Sequence, residues 1–180
     1  MELYKGYLYR SSLIGVILIM IFAIIGWGYV GTVCAKNDKT QKVQKIMNVI
    51  LFILGMAIVL QSTIFNRKNT NRELILIPFY SLHEAIEQPE MYRSMLMNVF
   101  LFEPIGLTLP YVFPKKLHKK PITAIGFGFL LSFVIEVMQY TFYLGRAEVD
   151  DIICNTLGCA IGTGAYLICK KYMEFRKMLQ

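Results

Sequence analysis

The stretch that decides the fold is PITAIGFGFLLSFVIEVMQYTFYLG, residues 121–145, followed after RAEVDD by IICNTLGCAIGTGAYLIC, residues 152–169. The first run contains a single charged residue, Glu136, and the second contains none. A helix needs about 20 predominantly apolar residues to cross the hydrocarbon core of a bilayer. We therefore predict two membrane-spanning helices joined by a short connection.

Three further runs of the chain meet the same criterion. Residues 11–35 and 46–65 carry no charge, and residues 94–114 are interrupted only by Glu103. In a chain of 180 residues that is 56% hydrophobic and 17% charged, too little polar sequence remains to cover such helices in water. The sequence predicts an all-α fold, a polytopic membrane helical bundle of about five transmembrane helices. We assign residues 1–180 to a single membrane domain with spans at 11–35, 46–65, 94–114, 121–145 and 152–169 and an extracytoplasmic loop at 66–93.

The first run has a second interpretation, because Lys5 and Arg10 precede it as they would precede the core of a cleaved signal peptide. The run is longer than the usual signal core of about 7 to 15 residues, and residues 31–34 offer no cleavage site between small residues. We therefore predict an uncleaved membrane anchor.

Basic residues are distributed unequally between the two sides of such a bundle. Twelve Lys and Arg residues follow the first, third and fifth spans, against seven on the opposite side. Because cytoplasmic loops retain positive charge, we predict an external amino terminus and a cytoplasmic carboxyl terminus. We interpret the net charge of +7 as a determinant of this topology, with affinity for anionic membrane lipid, and not as a nucleic-acid footprint.

The cysteines and histidines indicate neither a disulfide framework nor a metal site. All four cysteines fall in or at the ends of predicted spans, and none has a ligand-like spacing with either histidine. The sequence therefore predicts no metal and no cofactor. The residues concerned are Cys34, Cys154, Cys159, Cys169, His83 and His118.

Polar residues recur along one face of the fourth predicted span. Glu136 is expected about 12 Å below the surface, where a carboxylate must face protein or water, be paired, or be protonated. The residues spaced three or four apart along this stripe are Gly128, Ser132, Glu136, Gln139 and Tyr143. The stripe is either a helix-packing seam that uses polar contacts or part of a functional site.

The fifth predicted span repeats this pattern. Its stripe contains Asp151, Asn155, Gly158, Gly162 and Ala165, and the two glycines form a small-xxx-small pair for helix packing. Acidic residues at the start of the span, Asp150 included, suit the positive end of a helix dipole. Capping is therefore an alternative explanation for one of them.

Arg146 lies between these two spans, surrounded by acidic residues. It would either pair with Asp151 or Glu136, which fixes the two helices, or hold an anionic group from outside. The third span contributes Asn98 near its outer end and Glu103 at the depth of Glu136. We predict a polar pocket open to the outer surface, formed by Asn98, Glu103, Glu136, Gln139, Arg146, Asp150, Asp151 and Asn155.

The long connection before the third span contains an apolar segment, Leu76–Phe79, followed by Ser81, His83, Glu84 and Glu87. This composition fits a short element at the outer membrane surface, or equally a solvated loop with a hydrophobic anchor.

Several of these motifs, in this order and spacing, resemble the VanZ-like family. They are Asn98-Val-Phe-Leu-Phe-Glu-Pro-Ile-Gly106, Glu136 with Gln139, Gly145-Arg146, and Asp150-Asp151 with Asn155-Thr-Leu-Gly158, preceded by Ile75-Leu-Ile-Pro-Phe79. The resemblance covers about residues 75–169. It implies an integral protein of the bacterial cell membrane, and some family members are associated with low-level resistance to teicoplanin-type lipoglycopeptides. The resemblance implies no cofactor.

Three functions are therefore considered. The first is an envelope protein that alters access of a lipoglycopeptide or a lipid-linked cell-wall precursor to the outer membrane surface through the polar pocket. The second is a membrane-embedded enzyme on a lipid or cell-wall precursor, with Glu136 and Asp151 as its acid and base. The third is a small transporter or proton-coupled channel, because intramembrane acids are typical of such proteins. The oligomeric state is left open.

Overall fold

The computed structural model describes residues 38–65, 67, 71–88, 90–113 and 121–179. The predicted span at residues 11–35 lies outside them. Within the described residues the all-α prediction is confirmed, and a π-helical turn at Gln61–Phe65 continues the first helix. The helices are α1 (Asp38–Leu60), α2 (Tyr80–Glu87), α3 (Glu90–Val112), α4 (Pro121–Thr141) and α5 (Val149–Met178).

Four of these helices are long and apolar enough to cross a membrane, and they identify the chain as a polytopic membrane protein. The candidate spans are Lys42–Phe65, Met91–Val112, Pro121–Thr141 and Val149–Phe175. Residues 45–168 form one compact unit, which contains all the site residues discussed below. Residues 38–44 and 169–179 are the described part of a second unit, and they form the start of α1 and the end of α5.

Helix α4 ends at Thr141, four residues before the end of the apolar run that predicted it. Tyr143 adopts the left-handed conformation with φ of 58°, and the Leu144 N–H donates to the Gln139 carbonyl at 2.9 Å. This bond and conformation are those of a Schellman cap. Tyr143, assigned to the polar stripe from sequence, therefore lies beyond the helix. At the other end of the hairpin, α5 continues past the apolar run to Met178.

A two-stranded parallel ladder, which the sequence analysis did not predict, connects the loop after α1 to the α4–α5 connection. Strand β1 (Glu73–Ile75) pairs with β2 (Arg146–Glu148). The register places Glu73 opposite Arg146 and Leu74 opposite Ala147. The ladder fixes the loop against the end of the bundle at which α3 and α5 begin.

Helices α3 and α5 pack through small residues. A Cβ added at Gly158 would overlap the backbone carbonyl of Val99, and one added at Gly162 would overlap that of Glu103. Such close backbone approach is what small-xxx-small pairs allow in membranes. In α3, Pro110 leaves the Gly106 carbonyl without its usual helical donor. The Thr163 hydroxyl of α5 donates to that carbonyl at 3.4 Å. The fully buried core beside this contact contains Val59, Phe102, Ile105, Ile135 and Cys159.

Candidate functional site

A polar cleft of about 530 Å³ opens beside the ladder, at the end of the bundle where α3 and α5 begin. Its charged lining residues are Arg67, Glu73, Arg146, Glu148 and Asp151. Asn71, Ser81 and Ser94 add uncharged polar groups. The cleft therefore presents both charge signs together with hydrogen-bonding groups. Of the pocket residues predicted from sequence, Arg146 and Asp151 line it directly.

Arg146 forms ion pairs with carboxylates on three segments of the chain. Its guanidinium lies 2.9 Å from Glu84 on α2, 2.8 Å from Glu148 on its own strand and 3.8 Å from Glu73 on β1. The hydrogen bond to Glu84 is the largest of the effects that raise the pKa of Arg146 above its ordinary value. These partners differ from Asp151 and Glu136, which the sequence analysis had considered. The charge of Arg146 is used to hold the loop to the helical hairpin.

Asp150 is the second residue of α5, but its carboxylate caps the start of α2. Its carboxylate is buried and accepts the backbone N–H of Phe79 at 2.6 Å and that of Ser81 at 2.8 Å. Phe79 is the N-cap residue of α2, and Ser81 lies in its first turn, where helical N–H groups have no intrahelical acceptor. The Ser81 hydroxyl also donates to Glu148. Asp150 and Glu148 therefore attach α2 to the start of α5.

Asp151 is directed to the opposite side, into the cleft. Its carboxylate accepts a hydrogen bond of 2.6 Å from the side-chain amide of Asn98 on α3. This contact brings together two residues that the sequence placed in one pocket. Asp151 is only partly buried, and it lines the cleft.

Four other predicted pocket residues do not line the cleft, and three of them form buried hydrogen bonds. Glu136 accepts the backbone N–H of Glu148 at 2.9 Å, and Gln139 donates to the Thr63 carbonyl at 2.9 Å. Asn155 donates to the Ser132 hydroxyl at 2.8 Å. Glu103 is 5% exposed and does not line the cleft. The predicted polar set is therefore divided between a cleft and a buried hydrogen-bonded layer.

Arg67 was missed by the sequence analysis as a site residue. It follows the π-helical turn, is half-buried, and lines the cleft. Its guanidinium forms no ion pair with another residue of the described part of the chain. A π-helical turn is often found at a functional site, but it was not visible in the sequence. Arg67 is thus a cation of the cleft without an ion pair in the described part of the chain, and its charge acts on the carboxylates of Asp151 and Glu136.

No cluster of three or more His, Cys, Asp or Glu side chains suited to a metal occurs among the described residues. The chemistry that this arrangement supports is recognition of a polar group by Arg67 and Asp151 beside the partly exposed ion pairs of Arg146. Glu136 and Asp151, the acid and base considered for an enzyme, do not line the cleft together.

Comparison with known proteins agrees with the motifs. The family model described as VanZ/LLP1 matches residues 12–170. Protein VanZ of Enterococcus faecium is 33% identical over 87 residues, which are 48% of this chain and 52% of that relative. The match thus spans about half the length of the curated relative. No solved structure matches significantly. Because the family match covers most of the chain, the protein belongs to the VanZ/LLP1 family.

Proposed function

We propose that this protein lowers the susceptibility of a bacterial cell to teicoplanin-type lipoglycopeptides by altering access of the drug, or of a lipid-linked cell-wall precursor, at the outer membrane surface. Membership of the VanZ/LLP1 family and the similarity to Protein VanZ support this proposal. In our proposal the polar cleft is the part of the molecule that engages the ligand.

The proposal requires the cleft to face the outside of the cell. The short connections at the cleft end of the bundle contain fewer Lys and Arg residues than those at the opposite end. Since positive charge is retained in the cytoplasm during insertion, this bias supports an external cleft. It also supports a cytoplasmic carboxyl terminus and, with the predicted first span included, an external amino terminus.

The observation that carries the proposal is the pair of opposite charges, Arg67 and Asp151, that line the cleft. Arg67 is without an ion-pair partner among the described residues, and Asp151 is held in place by Asn98 with its carboxylate on the cleft. Groups that are positioned by the fold but not fully used by it are typical of binding sites.

The test is expression in a sensitive Gram-positive host, with susceptibility to teicoplanin compared with susceptibility to vancomycin. The wild-type chain is expected to protect against teicoplanin, and Asp151→Asn and Arg67→Gln should lose that protection at equal membrane abundance. Each substitution removes one charge from the cleft and leaves the Arg146 ion pairs unchanged.

Glu87→Gln is the matched control, because Glu87 is an exposed carboxylate on α2 that does not line the cleft. It should protect as the wild type does. Absence of protection by the wild-type chain would refute the proposed function. Full protection by both cleft variants would show that the cleft is not the site.

A further inference from the structure

The ladder of β1 and β2 lies between two cavities that differ in polarity. Side chains alternate between the two faces of a strand, so successive residues of β1 and β2 point in opposite directions. Glu73 and Arg146, which are paired in register, line the polar cleft. Leu74 and Ala147, the next pair in register, line a second cavity of about 250 Å³ behind the ladder. The period of two thus places the pair Glu73 and Arg146 on the cleft side and the pair Leu74 and Ala147 on the side of the second cavity.

The second cavity is an apolar groove that is continuous with the lipid-facing surface of α4. Its walls include Leu74, Leu76, Phe133, Val137, Ala147 and Ile152. The buried side chain of Glu136 also lines this cavity. Phe133 and Val137 are each about half exposed, and they lie in the spanning part of α4. Because a spanning helix presents its exposed side chains to lipid, a hydrocarbon chain can enter this groove sideways from the bilayer.

The groove and the cleft meet at Glu148, which lines both. On the cleft side, Arg67 supplies a cation, and Glu73 and Asp151 supply carboxylates. A head group that satisfies both signs must itself carry both, such as a phosphate joined to an ammonium group. An arginine side chain is well suited to phosphate, and carboxylates are suited to an ammonium group.

We propose that the groove and the cleft together bind one membrane phospholipid with a zwitterionic amino-phosphate head group. One hydrocarbon chain lies in the groove against Val137 and Leu76, the phosphate lies near Arg67, and the ammonium group lies near Glu73 and Asp151. This inference goes beyond the proposed resistance function, because lipid can be bound whether or not the chain protects against a drug.

The first experiment is native mass spectrometry of the full-length protein in mild detergent. Phosphatidylethanolamine, phosphatidylglycerol and glycerophosphoethanolamine are added separately. We expect phosphatidylethanolamine to give the most stable adduct, because it alone combines a hydrocarbon chain with a zwitterionic head group. Equal retention of phosphatidylglycerol would overturn the assigned head group. Equal retention of glycerophosphoethanolamine, which has no hydrocarbon chain, would overturn the role of the groove.

The second experiment fills the groove by substitution. Val137→Trp should weaken retention of phosphatidylethanolamine about tenfold, which corresponds to about 1.4 kcal/mol. Val134→Trp is the matched control, since Val134 is 52% exposed on the same helix, compared with 48% for Val137, but does not line the groove. The control should retain lipid as the wild type does. Equal retention by both variants would refute the inference.

If Val137→Trp is not recovered as a folded protein, Leu76→Trp makes the same prediction from the loop end of the groove, where Leu76 is exposed. The lipid experiment and the susceptibility experiment test separate proposals, so either proposal can be refuted without the other. A wild-type chain that retains the lipid but does not protect the host refutes the resistance function alone. A protective chain with no lipid preference refutes the lipid site alone.

Discussion

Replacing Arg146 by Gln removes a guanidinium that three carboxylates share. The variant keeps a side chain of similar reach that can donate hydrogen bonds but has no charge. Glu84 and Glu148 then lose a cation at 2.9 and 2.8 Å, and Glu73 loses one at 3.8 Å. The contacts that join α2 and β1 to the helical hairpin are weakened together. We therefore expect Arg146→Gln to loosen the loop while the four long helices remain inserted.

The magnitude follows from how far these charges are removed from water. The side chains of Arg146, Glu84 and Glu148 are 28%, 21% and 10% exposed. Loss of one partner from a buried pair costs about 3 to 5 kcal/mol, whereas an exposed pair contributes about 0 to 1 kcal/mol. Partial exposure places this site between the two cases, at about 2 to 3 kcal/mol. For a chain of this size the corresponding fall in melting temperature is about 4 to 12 °C.

The assay is thermal unfolding of the purified protein in detergent, measured as the fraction of the protein that remains monodisperse. Limited trypsin digestion gives a local measurement, because Arg72 lies in the loop that Arg146 holds. Arg146→Gln should lower the melting temperature and accelerate cleavage after Arg72. Arg146→Lys should lie between the variant and the wild type, since lysine keeps the charge without the planar fork.

Lys170→Gln controls for the loss of one positive charge, because Lys170 is exposed on α5 outside the compact unit of the site. The reasoning is refuted if the Arg146→Gln and Lys170→Gln variants both have the melting temperature of the wild type. It is also refuted if Arg146→Gln is less stable but its loop is cleaved no faster.

Two further predictions concern packing and capping. Gly162→Val should reduce membrane abundance severely, because the added Cβ overlaps an α3 carbonyl. Gly164→Ala should be tolerated, because no other described atom lies within 4 Å of the added Cβ. Equal abundance of the two variants would contradict this packing. Asp150→Ala should cost about 1 to 3 kcal/mol by leaving the amides of Phe79 and Ser81 without their acceptor. Thermal unfolding measures that cost, and an unchanged melting temperature would show that Asp150 does not stabilise α2.

The spans could be predicted because membrane insertion depends on local composition. Runs of about 20 apolar residues are recognisable without knowledge of what they contact. The end of α4 could not be placed in the same way, since its Schellman cap depends on a left-handed Tyr143 inside a run that is still apolar. The continuation of α5 to Met178 was missed for a different reason, because the length of an apolar run does not mark the end of a helix that continues into polar sequence.

The candidate site was predicted only in part. Helical spacing predicted that Asn98 and Asp151 lie near each other, because each lies near the same end of its span, and their side chains form a hydrogen bond. The partners of Arg146 were not predicted, since Glu73 and Glu84 lie more than 60 residues earlier in a loop. Arg67 has no sequence motif, and its role follows only from the cleft that the folded loop creates.

By itself, the sequence determined that the chain is a helical membrane protein of the VanZ/LLP1 family. It also predicted that acidic and amide side chains gather at one end of the bundle. Only the tertiary structure decided which of those groups pair with one another and which face a cavity. The physical reason is that insertion of a helix into the bilayer depends on the residues of that helix alone. Ion pairs, caps and the three-residue ladder depend on where a distant loop folds back, and no local pattern encodes that position.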